Sequence, residues 1–353
     1  MLEMIFTKLD FKSLGSARQT CKFWMQIIDE RKILERISVI LIVGGTEDSE
    51  TAVDLLTGDL GTKKLPNLPE SNFGSSMVFH DGTILVRGGG GWMVECFQLD
   101  RDGTWKEHST PVFNRIYHST VTTKIATFSF GGEYSRETYD YLPRDSKTWI
   151  MGKTEIPGGF SHGCDIAVKS GQILLIGGQD TEKRILRFDV QDHSFRELDS
   201  KLNLERLAPR CAYIPNTNKV MITGGYNEDS TEIFEDGNVT MGSPMNSIRF
   251  HHGIGVLTIN GEERLAVFGG SCDDPMNPLN EIFHDSVELY NAKTEKWELT
   301  DMKLNGAKDN FGFLEIKLTK NVRENLKFQK NQNQKPKTVE NHNWSLWSFC
   351  NLL

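Results

Sequence analysis

The 353-residue sequence contains no apolar run approaching the about 20 residues that a membrane-spanning helix requires, so no membrane partner is expected. Cysteine is sparse. Cys21, Cys96, Cys164, Cys211, Cys272 and Cys350 are scattered without a CxxC, which argues against a zinc site and a disulfide framework. No signal peptide is recognisable, and with so little cysteine a reducing cytoplasmic and/or nuclear setting is expected. HExxH and GxSxG are missing, and the glycines at 88–91 are followed by Trp92 rather than by the Lys-Ser/Thr of a phosphate loop. The expectation is therefore a non-enzyme with no catalytic residue, metal or cofactor. His251 and His252 would suit a metal, but His118 occupies the matching place of its own repeat, so these histidines read as structural. Positive charge is scarce in the middle of the chain. Residues 1–37 hold seven basic and five acidic side chains and residues 319–353 hold six and two, which leaves −14 for 38–318. Phosphate contacts need cationic patches, so nucleic acid is excluded as the main partner of that segment.

What the chain has instead is a repeat. Six Gly-Gly pairs begin at Gly44, Gly88, Gly131, Gly177, Gly224 and Gly269, spaced 43 to 47 residues apart. A short apolar run precedes each pair. A period near 45 with strand signals inside it marks a solenoid or propeller array. The last repeat is the clearest: 253–259, a turn at Asn260-Gly261, 264–268 ending in Gly269-Gly270, then 286–290 and Trp297. These are four short strands separated by turn signals. Tyr290 and Trp297 stand seven residues apart, as do Phe188 and Phe195. Phe97 with Trp105, and Tyr141 with Trp149, carry one extra residue. Such rings are expected to pack between blades.

A double glycine followed by an aromatic and a tryptophan about six residues apart resembles the kelch repeat. The resemblance covers 37–318 and implies a mostly β fold, a six-bladed β-propeller with one four-stranded blade per repeat. The chain enters it at Ile37 with a second strand that has no first. A spare strand at 310–317 is left over at the end. Its only place is blade one, where it would close the ring and remove an open edge.

Residues 1–36 differ in kind. Leu2, Ile5, Phe6 and Leu9 fall on one helical face, Leu14 lies on a second short helix, and Trp24 and Ile28 mark a third. Leu2, Ile5-Phe6, Leu9-Asp10 and the later Cys21 and Trp24 resemble an F-box, here without the family's opening Leu-Pro-x-Glu and hence read as N-terminally truncated. The resemblance implies that Leu2, Ile5, Phe6, Leu9, Leu14, Trp24 and Ile28 bind a Skp-type adaptor of a cullin-RING ubiquitin ligase. Residues 319–353, rich in Asn, Gln and Lys, read as a disordered tail.

Together the two resemblances imply the substrate-recognition subunit of an SCF-type E3 ligase. A kelch scaffold without ligase coupling and a small-molecule-processing propeller enzyme are the alternatives. The protein substrate is expected at the blade end that carries the longer loops. Its candidate contacts are Arg115, Arg206 and Arg249, which stand three residues before His118, Pro209 and His252, with Trp92, Tyr134, Tyr226, Asp273 and Asp274 on the loops between second and third strands. The two aspartates suit a basic stretch.

Overall fold

A computed structural model describes residues 37–45, 50–58, 61–90, 96–100, 104–168 and 171–317. The helices expected in 1–36 and the tail at 319–353 lie outside the described residues. Among the described residues there is no helix; 24 strands form six four-stranded antiparallel sheets and two more form a hairpin. Each sheet is one blade of a propeller.

From the inside outward, blade one is Gly312–Lys317, Ser38–Val43, Val53–Thr57 and Gly61–Leu65. Blade two is Ser76–His80, Thr83–Arg87, Cys96–Leu99 and Trp105–Glu107; blade three is Ser119–Thr122, Ala126–Phe130, Tyr139–Pro143 and Ile150–Met151. Blade four is Cys164–Val168, Gln172–Ile176, Ile185–Asp189 and Phe195–Glu197; blade five is Arg210–Tyr213, Val220–Thr223, Thr231–Glu235 and Asn238–Met241. Blade six is Gly253–Ile259, Glu262–Phe268, Ser286–Asn291 and Lys296–Lys303. The six innermost strands touch one another in turn around a closed ring and enclose a central channel.

The second strand of each blade reads as an unbroken apolar run because a neighbouring blade covers each face of the sheet. Ser38–Val43 is buried at every position. The alternation expected of a half-solvated strand is lost when both faces pack. One apolar cluster fills each blade interface. Val39, Leu41 and Leu55 of blade one meet Ile84, Val86 and Trp105 of blade two. Phe128 and Phe130 meet Phe188 across the next interface but one. Tyr290 and Trp297 stand opposite each other in register and pack on Ile214 and Met221 of blade five. The spaced aromatics are thus inter-blade packing. The interface between blades two and three is the poorest in apolar groups, with Val78, Leu85, Cys96, Leu142 and Trp149, and it adds polar contacts. There Arg87 lies over the Trp149 ring, 4.2 Å from its centroid, and bonds Asp140 at 2.7 Å.

Blade one joins the two ends of the propeller. Gly312–Lys317 pairs antiparallel with Ser38–Val43 over six residues, from Ser38 opposite Lys317 to Val43 opposite Gly312. Ile316 is buried in the interface with blade two, and Phe311 in that with blade six. Removing this strand leaves six backbone positions of a buried strand unpaired and opens the ring on both sides. A chain ending at Asp309 is expected to aggregate or to melt far below the full-length protein, whereas one ending at Lys320 melts with it, as differential scanning calorimetry would show.

Candidate functional site

The loop-rich end of the propeller is organised by the residue that leads into each inner strand. These residues are Asn72, Arg115, Phe160, Arg206, Arg249 and Lys308. The backbone carbonyl of each accepts a hydrogen bond from the second glycine of the preceding blade, at 3.2, 3.1, 2.9, 3.0, 3.0 and 2.7 Å respectively. The same carbonyl stands where the first glycine's side chain would be. A Cβ on Gly131 would lie 1.7 Å from the Phe160 oxygen, and one on Gly88 2.3 Å from the Arg115 oxygen. Both glycines of every pair also have positive φ. Only glycine meets both demands.

The side chains of the lead-in residues correct a sequence expectation. Arg115, Arg206 and Arg249 do not face a partner: each is fully buried and turned into its own blade. Arg249 donates to Glu288 at 3.1 Å, to the Gly269 carbonyl at 2.7 Å and to Ser286 Oγ at 2.6 Å. Arg206 makes the same set with Glu232 at 2.9 Å, the Gly224 carbonyl at 2.6 Å and Ser230 Oγ at 3.1 Å. Arg115 does so with Asp140 at 3.2 Å, the Gly131 carbonyl and Thr138 Oγ1 at 3.1 Å. Lys308 repeats the ion pair with Asp54 at 2.8 Å. The acids sit near the start of the third strand, and their second oxygen is taken by other donors: Glu232 accepts from the Asn203 amide at 2.7 Å and Glu288 from the Asn246 amide at 2.6 Å. Burial works against the charged guanidinium and draws the proton affinity of Arg115 down to about 10, while that of Arg249 is lowered for the same reason. The facing carboxylates oppose this.

Two residues after each lead-in position the backbone turns left-handed. Gly74, Tyr117, His162, Ala208, His251 and Asn310 have φ between 50° and 67°. They form a ring around the channel mouth. Tyr117 donates its amide to Gly74, His162 to Tyr117, Ala208 to His162, Asn310 to His251 and Gly74 to Asn310, at 2.7–3.3 Å. Holding a non-glycine residue in this region costs on the order of 1 kcal/mol each, which the shared bonds offset. The ring aims three side chains across the opening. Tyr117 stacks on His162 with centroids 4.1 Å apart and on His251 at 5.3 Å, and the two imidazoles meet at 3.1 Å. His118 and His252, one residue further on, bond Ser76 Oγ and Thr223 Oγ1, each at 2.8 Å. Burial holds all four histidines below their ordinary range, with neighbouring arginines adding to the effect. Among the described residues no three His, Cys, Asp or Glu side chains gather in a way that would hold a metal ion.

The other expected contacts divide. Tyr134 is exposed on the loop-rich end, 73% of its surface free. Tyr226 donates its hydroxyl to Asp273 at 2.8 Å, and Asn227 donates to the same oxygen at 3.2 Å. Asp274 caps the next turn by accepting from the Met276 amide at 2.8 Å. The segment expected as a loop here is a β-hairpin of Ser271–Asp274 with Asn277–Phe283. Its apolar side chains point outward: Met276 is 91% and Leu279 95% exposed. The Asp274-Pro275 dipeptide is the turn signal that marks it in the sequence. Trp92 and the adaptor-face residues Leu2, Ile5, Phe6, Leu9, Leu14, Trp24 and Ile28 lie outside the described residues.

A family model described as the F-box domain matches residues 1–36. A RING finger domain and kelch repeat-containing protein of Dictyostelium discoideum is 25% identical over 192 residues, 52% of this chain and 18% of that protein. Human kelch domain-containing protein 3 is 25% identical over 239 residues, 55% of this chain and 58% of that protein. The chain thus spans less than two thirds of the length of either relative. The chain resembles F-box proteins over residues 1–36 and kelch-repeat proteins over about half of its length. The solved structure of YjhT superposes with a TM-score of 0.59 at 12% identity, covering 70% of this chain and 88% of that one, and so shares the propeller fold. The F-box match and the kelch-repeat relatives support a role in substrate recognition or protein interaction.

The buried arginines of this propeller are structural, which sets a prediction. Arg249→Ala strands Glu288 in the interior and is expected to destabilise the propeller by about 3–5 kcal/mol in chemical denaturation. Paired replacement of Arg249 by Met and Glu288 by Leu is expected to recover most of that loss. A loss of partner binding at unchanged stability would return the arginine to a recognition role.

Proposed function

We propose that this chain is the substrate-recognition subunit of an SCF-type cullin-RING E3 ubiquitin ligase. The observation that carries the reading is the F-box match over residues 1–36, which ends where the first propeller strand begins. One chain thereby carries an adaptor module and a closed, rigid body for a second protein. On this reading it performs no chemistry itself, needs no cofactor and works in the cytoplasm and/or nucleus. The F-box segment holds the Skp-type adaptor and the propeller holds the substrate. Ubiquitin transfer is sped by the raised local concentration of substrate at the ligase.

The adaptor half is tested by co-purification of the full chain with a Skp-type adaptor. Trp24→Ala or Phe6→Ala is expected to abolish capture while the propeller melts as before; burying such a ring contributes about 3–5 kcal/mol. Melting of the propeller in these variants would instead make residues 1–36 a helical cap. A native chain that captures no adaptor would leave the scaffold reading, without ligase coupling, in its place.

For the substrate half, the surface that supports docking is the hairpin at 271–285 with its neighbours Tyr226 and Tyr134. Four acidic residues, Asp273, Asp274, Glu281 and Asp285, stand in it with no Lys or Arg. Asp285 is paired with Lys303 at 2.7 Å, and Asp273 is held by Tyr226. Asp274 and Glu281 flank the outward Met276 and Leu279. This chemistry suits a basic segment with apolar side chains. Leu279→Asp combined with Glu281→Lys is expected to weaken capture of the substrate, once affinity purification has identified it, about tenfold or more. Melting should be unaffected because both side chains are exposed. Unchanged capture would move the docking site off the hairpin.

A further inference from the structure

Arg210 departs from the pattern of the paired cations. Arg87 and Arg115 share Asp140, Arg206 has Glu232, Arg249 has Glu288 and Lys308 has Asp54. Arg210 opens the inner strand of blade five and is half-buried in the channel wall, yet no carboxylate among the described residues lies within 4.0 Å of it. Its one hydrogen bond runs to the Pro209 carbonyl at 3.0 Å.

Asp165 attracts Arg210 from beyond ion-pair distance and is only a partial counter-charge. Two adjoining cavities of about 20 and 150 Å³ lie beneath the Tyr117, His162 and His251 rings, and Arg210 lines both. Asp165 lines the larger one from the neighbouring blade. Burial raises its carboxyl to about 7, so it is ionised in only part of the neutral range. Five buried polar atoms of the lining residues have no hydrogen-bond partner: Asp165 Oδ2, Ser75 Oγ, His118 Nδ1, His251 Nδ1 and Asn310 Oδ1. The Ser75 hydroxyl and the neutral His251 imidazole are able to donate, and so is Asp165 once protonated. His118 gives its one N–H to Ser76, whose own proton goes to Thr120, so its Nδ1 accepts, as does Asn310 Oδ1. A water needs only about 10–15 Å³ of such space, so the larger cavity accepts a group of several heavy atoms.

We propose that the channel holds a small oxyanion, a carboxylate or phosphate group, on Arg210. The guanidinium fork suits two oxygens of such a group, and Ser75, which lines both cavities, offers its hydroxyl to a third. The Tyr117–His162–His251 stack closes the site from the loop-rich end. This inference is independent of ligase coupling and of the hairpin.

The test uses the full chain with inorganic phosphate and with acetate, each against chloride at equal ionic strength. Expected are one bound ion per chain by calorimetry, a raised melting temperature, and shifts of the His162 and His251 ring resonances. Arg210→Met is expected to weaken binding at least tenfold. Arg136→Gln, at a half-buried arginine paired with Asp180, is expected to leave it unchanged. Asp165→Asn is expected to bind as tightly as the native chain or more tightly, since it removes a competing negative charge. Should Arg210→Met fold poorly, the histidine shifts of the native chain decide the matter. An end-blocked glutamate peptide separates the two sources of such a group: tighter binding of the peptide than of acetate assigns it to a partner's acidic side chain, and the reverse to a free small molecule. Equal binding by native and Arg210→Met chains, or responses no larger than those to chloride, would overturn the proposal.

Discussion

Everything in this propeller hangs on one contact made six times: the carbonyl of the lead-in residue of one blade seated on the double glycine of the blade before. The carbonyl takes the amide hydrogen of the second glycine and occupies the volume that a side chain on the first would need. Because the bond joins successive blades, it sets their spacing and lets the apolar clusters form between them. The sixth copy, from Gly270 to Lys308, joins blade six to blade one and closes the circle.

The lead-in residue is used twice over. Its backbone ties it to the previous blade, and in four of six copies a cationic side chain ties it to an acid in its own. Two residues later the chain turns left-handed and begins the ring at the channel mouth. The loop-rich end is therefore rigid near the axis and variable away from it. Features free to differ between blades sit outward, such as the hairpin of blade six and the exposed Tyr134. A substrate-recognition or interaction role fits this division, since a fixed scaffold limits the entropy lost when a partner is held. It also explains why the channel is the place where unpaired polarity collects. The inner strands pack only edge to edge there, and the apolar interfaces lie further out.

The sequence determined the architecture and how the ring is made. Gly-Gly pairs at a fixed period, apolar second strands and paired aromatics are local patterns, and each is dictated by dihedral limits or by burial on both faces of a blade. The F-box resemblance was equally legible, because a helical face is a short-range pattern. The direction of Arg115, Arg206 and Arg249 was not. Their partners are carboxylates 25, 26 and 39 residues further on, and only the folded blade brings those within reach. Sequence position put these arginines on the loop-rich end correctly, but it does not carry the rotamer that turns them inward. The hairpin at 271–283 was hidden for a related reason: its pairing rests on a two-residue turn and on the support of Tyr226 from another blade. The Tyr117, His162 and His251 stack, and the lone charge of Arg210, belong to blades far apart in the chain. What meets across the axis is decided by ring closure, a long-range constraint that no local pattern in the sequence encodes.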